Sequence, residues 1–175
     1  SNIYHSNPPT AIRALGRKTK HKVTTYDKTN KHYHLRTSKI KSKGDALSSR
    51  RMLFSNEDVC IYKSHINQNM KTLFKNAYAD ELLFVSSGKG ILETNFGNLN
   101  ITYGDYIVIP RGVIWKIDIE SKMKILVIEA RGPIETPERY RNKFGQLLEL
   151  SPFSERDIIT PNFQKAIQKS SPKIK

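Results

Sequence analysis

Between residues 52 and 130 the chain breaks into short runs in which β-branched and aromatic residues recur at every second position. They are Val59 to His65, Glu81 to Ser86, Gly90 to Phe96, Asn98 to Tyr103, Asp105 to Pro110, Val113 to Ile119 and Met123 to Ala130. A period of two places alternate side chains on opposite faces of a strand. The connections Ser86-Ser-Gly-Lys-Gly90, Phe96-Gly-Asn98, Tyr103-Gly-Asp105 and Arg111-Gly112 supply turn residues able to adopt positive φ. Seven such runs at regular spacing predict an all-β sandwich or barrel. Parity gives orientation as well. Val113, Trp115, Ile117 and Ile119 share one face, opposite Lys116 and Asp118, and must point inward. The run from Asp105 to Pro110 is apolar on both faces, which predicts a central strand.

The flanks have a different character. Tyr4 to Arg51 opens on Pro8-Pro9, shows no sustained helical period and changes at Met52-Leu-Phe, which sets a boundary there. Residues 1–51 carry 13 Lys/Arg against Asp27 and Asp45, and so supply +11 of the net charge of +14. Like charge with little apolar surface cannot offset its ordering entropy, so 1–51 is expected to be an extended basic arm whose natural partner is acidic. After the barrel segment, 52–130, residues 131–175 read as a loop-rich extension and basic tail. Pro133 and Pro137 stop regular elements, Phe144 to Leu150 reads as a helical turn or short strand, and Gln164 to Lys175 should fray. Cys60, the single cysteine, excludes an internal disulfide and reads as a small buried hydrophobe. No segment approaches the roughly 20 apolar residues of a membrane span, and no signal-peptide core is visible, so a soluble cytoplasmic protein is expected.

Two motifs organise the barrel segment. Gly104-Asp-Tyr-Ile-Val-Ile-Pro-Arg-Gly112 meets the Gly-x5-Pro-x-Gly spacing of the second motif of cupin barrels, and Asp80 to Gly97 resembles the first, a hairpin with a Gly-rich turn. Further blocks are Asn76-Ala-Tyr-Ala-Asp-Glu-Leu82, Ile128-Glu-Ala-Arg-Gly-Pro-Ile-Glu135, Arg139-Tyr-Arg-Asn-Lys-Phe-Gly-Gln-Leu-Leu-Glu149 and Ser151-Pro-Phe-Ser-Glu-Arg-Asp157. Together they resemble the N-terminal region of bacterial homogentisate 1,2-dioxygenases, over about Arg50 to Pro161. The resemblance implies a cupin-like jelly-roll barrel and, in the full enzyme, Fe(II)-dependent opening of the homogentisate ring with O2. It also implies assembly into trimers and hexamers and a C-terminal catalytic domain as the barrel's partner. The iron ligands of that family lie in the C-terminal half, so none is carried over to a residue here. Two readings stay open: a fragment of a longer enzyme, or a stand-alone relative lacking the catalytic half.

Metal-binding cupins need a His-x-His pair and a carboxylate on the first motif and a histidine three residues after the glycine of the second. The last position is Trp115, and Lys75-Asn-Ala-Tyr-Ala-Asp80 contains no histidine. An indole offers no lone pair to a metal, so neither a catalytic residue nor a metal ligand is assigned and no cofactor is expected in this chain. His32-x-His34, His5 and His21 lie in the basic arm without acidic neighbours and read as solvated, and His65 as a strand-end residue. Arg131, Glu135, Arg139, Tyr140, Arg141 and Asn142 form a dense polar loop. They either line a subunit contact or reach the active site of a neighbouring half in the full enzyme, or form a salt-bridged loop fastening the barrel end, and Arg156 is expected to pair with carboxylates. Arg17-Lys-Thr-Lys-His-Lys22 and Lys39-Ile-Lys-Ser-Lys43 support a different class, a nucleic-acid-binding module, but no stacking platform, zinc finger or recognition helix accompanies them. A third class is a metal-free cupin holding a ligand around Trp115.

Overall fold

The computed structural model describes residues 11–17, 32–165 and 173–175. It divides into Ser1–Arg36 and a compact unit, Thr37–Lys175. In the first, residues 11–17 and 32–36 form neither helix nor strand. Pro8-Pro9 and most of Arg17 to Lys22 lie outside the described residues.

Among its described residues the compact unit has nine strands: β1 (Arg51–Ser55), β2 (Val59–Ile66), β3 (Phe74–Lys75), β4 (Asp80–Ser87), β5 (Lys89–Thr94), β6 (Gly97–Thr102), β7 (Tyr106–Ile109), β8 (Ile114–Ile119) and β9 (Met123–Ala130). They form an antiparallel sheet in the order β1-β2-β9-β4-β7 and a second in the order β3-β8-β5-β6. All seven strands expected from the alternation are present. The short β1 and β3 are additions that a period-two pattern of two to five residues does not distinguish from loop. The architecture is the all-β, cupin-like jelly roll expected from the motifs.

Alternation decides the core. Leu83 and Val85 of β4, Ile125 and Val127 of β9, Leu92 of β5 and Trp115 and Ile117 of β8 are buried between the sheets. Burial of each such side chain contributes about 1.5–3 kcal/mol. Val113 and Ile119 pack against this cluster, and so does half-buried Cys60.

The expected place of one strand is overturned. The Asp105 to Pro110 run forms β7 at the edge of the five-stranded sheet rather than at its centre. Ile107 and Ile109 face the core, whereas Tyr106 and Val108 are exposed. Two apolar faces therefore record an apolar outer surface here. Register continues that surface across the sheet: Val108 lies beside Leu82, Leu82 beside Ile128 and Ile128 beside Ile61, with Tyr106, Phe84 and Leu126 forming the next row.

The flanking segments also close the second sheet. Asn162 bridges Asn98 on the β6 edge, and its backbone approaches Gly97, whose φ is +124°, so closely that a Cβ there would collide with the Asn162 carbonyl. On the β3 edge, Ile174 forms a parallel bridge with Leu73, and Lys175 N–H donates to Leu73 O at 2.9 Å. Of the Gln164 to Lys175 stretch expected to fray, residues 173–175 are tied by backbone hydrogen bonds, and 166–172 lie outside the described residues. In the 144–150 stretch, Arg141 bridges Leu147 around a turn at Gly145. No helix among the described residues is long and apolar enough to cross a membrane.

Candidate functional site

Two acidic residues occupy inward positions of otherwise apolar strands. Glu81 shares parity with Leu83 and Val85 on β4, and Glu129 with Ile125 and Val127 on β9; the pairing of β4 with β9 sets Glu81 directly beside Glu129. Like charges opposite one another across a ladder repel. With Glu81 buried and Glu129 half-buried, a cation between the two carboxylates relieves that repulsion.

Arg50, one residue before β1, supplies it. Its Nη1 lies 2.8 Å from Glu81 Oε1 and 2.6 Å from Glu129 Oε1, and its Nε donates to the Ala46 carbonyl at 3.2 Å. The side chains of Arg50 and Glu81 are 9% and 1% exposed. The backbone places Arg50 here through the preceding turn. Asp45 Oδ1 accepts hydrogen bonds from the N–H groups of Leu47 and Ser48, Ala46 is buried, and the buried Ser49 hydroxyl meets the Ser64 hydroxyl and donates to the Asp45 carbonyl.

The opposite sheet contributes aromatic rings. Phe74 and Trp115 are cross-strand partners on β3 and β8, with ring centroids 5.4 Å apart and planes at 80°. The guanidinium carbon of Arg50 lies 5.7 Å from the Phe74 centroid and 5.9 Å from those of Trp115 and Tyr62. Trp115 Nε1–H donates to Glu81 Oε2 at 3.0 Å, and Tyr62 O–H donates to Glu129 Oε2 at 3.2 Å. Burial pushes the Glu81 carboxyl above its ordinary value, against the opposing pull of Arg50. Burial, and then the Glu129 charge, push the Tyr62 phenol upward as well.

A divalent ion does not fit this donor set. The carboxylates already face a guanidinium, the inward residue at the second-motif histidine place is Trp115, which donates to Glu81 and has no lone pair to give, and no histidine among the described residues converges on them. Among the described residues no group of three or more His, Cys, Asp or Glu side chains is placed to hold a metal.

The sequence-derived candidates are distributed as follows. Trp115 is fully buried and packed between Phe74, Arg50 and Glu81. Arg141 makes a bidentate pair with Glu135 at 2.8 and 2.9 Å, Arg139 lies over the Tyr140 ring at 4.6 Å, and Asn142 is hydrogen-bonded to Gln146. Arg131 contributes its carbonyl, which accepts from Arg111 Nη2 at 2.6 Å. Arg156 makes no ion pair among the described residues; in its segment Asp157 instead caps a short turn with Ser154. His32 and His34 are exposed and His65 is half-buried, while His5 and His21 lie outside the described residues.

A second carboxylate fastens the extension to the barrel. Asp80, at the start of β4, accepts hydrogen bonds from the backbone N–H groups of Arg111 and Ile134 and from Arg111 Nε, all within 3.0 Å. Burial alone would raise its carboxyl, but these donors hold it below the ordinary carboxylate range.

Two facing sheets with their inner surfaces joined by this cluster define the chain as a cupin-type barrel. It matches the family model described as "Homogentisate 1,2-dioxygenase N-terminal" over residues 22–161. A Saccharolobus solfataricus protein that carries the provisional name of dioxygenase is 34% identical over 163 residues, which are 92% of this chain and 42% of that protein. The chain thus spans less than half the length of this curated relative. Solved structures with a likeness include a cupin-2 domain containing protein from Shewanella frigidimarina, 25% identical, with a TM-score of 0.43 over 47% of this chain and 80% of that one. A cupin superfamily protein from Desulfitobacterium hafniense is 15% identical, with a TM-score of 0.44 over 47% and 76% of the two chains. The chain belongs to the family of homogentisate 1,2-dioxygenase N-terminal domains.

Arg50, Glu81, Glu129, Tyr62 and Phe74 were not singled out by sequence reasoning. A usable signal was present for two of them: an acidic residue at an inward position of an apolar strand occurs at Glu81 and again at Glu129.

Proposed function

We propose that this chain is the non-catalytic barrel half of an Fe(II)-dependent, ring-cleaving dioxygenase of the homogentisate type, and that the reacting centre lies outside these residues. The observation carrying this reading is the Arg50–Glu81–Glu129 cluster, which with Trp115 fills the barrel interior with a guanidinium and its counter-ions instead of open metal ligands. The same packing around Trp115 weighs against a small-molecule ligand there.

In this reading the barrel is a scaffold. Its apolar outer rows, Ile61, Ile128, Leu82 and Val108 beside Leu126, Phe84 and Tyr106, are the surface on which the catalytic half docks. The length argues for that occupant, because more than half of the S. solfataricus relative falls outside the match. Tyr106 and Val108 are exposed and the other five side chains are half-buried, and a contiguous apolar surface open to solvent at its edge fits an interaction site. Homo-oligomer contacts and a cytoplasmic setting belong to the same proposal. Oxygen uptake tests it: this chain supplied with Fe(II) and homogentisate should consume no O2, whereas a polypeptide that adds the downstream region should. Sustained turnover by the chain alone overturns the reading.

A further inference from the structure

The Arg50 guanidinium occupies a site built for its shape. Carboxylates of Glu81 and Glu129 lie at its Nη1 edge on the five-stranded sheet, the Ala46 carbonyl accepts from Nε, and the rings of Phe74 and Trp115 come from the facing sheet, with Tyr62 as a third. Nη2 is buried with no oxygen to meet, and Glu81 Oε1, although 2.8 Å from Nη1, receives no aligned hydrogen bond. Those two atoms go without a hydrogen bond; the three ring faces within 6 Å of the guanidinium carbon are what fit a planar, weakly hydrated cation. They fit poorly a compact ammonium or metal ion, which needs oxygens on all sides.

We infer that the barrel interior is a guanidinium-binding site, occupied by the chain's own Arg50 and delivered there by the turn at residues 45–49. The inference rests on the reading of this barrel as non-catalytic and gives its interior a chemical identity. Because the buried Glu81 and the half-buried Glu129 are adjacent on neighbouring strands, the site without its cation brings like charges together. Its vacancy therefore weakens the barrel as a whole, and a free guanidinium ion relieves it.

Thermal unfolding of Arg50→Gly with Arg51→Gly as a neighbouring surface control tests this. R50G should unfold at a clearly lower temperature than R51G. Its midpoint should rise saturably with guanidinium or methylguanidinium at low millimolar concentration, and not with ammonium or urea at the same concentration, while the midpoint of the wild-type chain does not rise. An R50G as stable as R51G, or an equal response to ammonium, overturns the inference. Should R50G fail to fold, the pair Arg50→Met and Arg50→Met/Glu81→Gln decides: the second substitution should recover folding lost in the first, and no recovery overturns the inference. Neither outcome depends on dioxygenase activity, so failure here is distinguishable from failure of the functional reading.

Discussion

Trp115→Phe isolates a single interaction at the centre of the barrel. The phenyl ring keeps an aromatic face against Phe74 and Arg50 but removes the Nε1–H that donates to Glu81 Oε2 at 3.0 Å. Loss of a hydrogen bond to a charged, buried acceptor costs about 1.5–3 kcal/mol. The smaller ring leaves a void of a few tens of Å3, worth about 1 kcal/mol at roughly 24 cal/mol per Å3. The total, about 2.5–4 kcal/mol, is a large fraction of the 5–15 kcal/mol typical of a folded domain. For a chain of this size it corresponds to a midpoint about 5–15 °C lower. Trp115→Ala adds the larger cavity, about 3–5 kcal/mol, and should leave the chain largely unfolded. Because Trp115 is the only tryptophan, unfolding must be followed by circular dichroism or calorimetry rather than indole fluorescence. A double-mutant cycle with Glu81→Gln should return a coupling of about 1 kcal/mol or more, since the two side chains share one bond. W115F within about 0.5 kcal/mol of the wild type, a change of the size usual for a neutral surface substitution, would refute the claim that this bond holds the buried carboxylate.

Four further outcomes follow from the geometry. Asp80 has a folded pKa lowered from 3.8, so its contribution is present above that value and lost as pH falls through the lowered one; Asp80→Asn should flatten the acid limb of a urea-denaturation series. Glu81 is raised from 4.5, so its contribution is present below that value and lost as pH rises through the raised one; the stability of Glu81→Gln relative to the wild type should therefore improve from acid toward neutral pH. Gly97→Ala should cost several degrees of midpoint, because it combines a left-handed φ with a collision against the Asn162 backbone, and should expose residues 161–165 to proteolysis first; an unchanged digestion pattern would mean that the Asn98–Asn162 bridge does not hold the extension. Tyr106→Glu/Val108→Glu should lower binding of an apolar fluorescent dye by this chain while shifting its midpoint little, since both side chains are exposed; a loss above about 1 kcal/mol, beyond the range of surface substitutions, would mean that the face is already covered within the chain.

How much of this was legible depends on the range over which each feature is determined. Strand positions and the inward face of β8 follow from alternation, which is local, and they emerge from Val113, Trp115, Ile117 and Ile119 without knowledge of any neighbour. Strand order does not. An apolar outer face on β7 has the same pattern as a strand covered on both sides, and only the pairing of Tyr106 with Phe84 and Val108 with Leu82 at a sheet edge tells them apart. Arg50 is the extreme case. By composition it belongs to the basic segment that ends at Arg51, and nothing beside it marks it as buried. Its position is set by Glu129, 79 residues away, and by an aromatic pair on the other sheet. A cation and its counter-ions carry no periodicity, so they are invisible until register sets Glu81 beside Glu129 and leaves two carboxylates to be compensated. The inward parity of each acid was readable, but that the two meet, and which of the 30 Lys and Arg side chains would lie between them, was decided by topology alone.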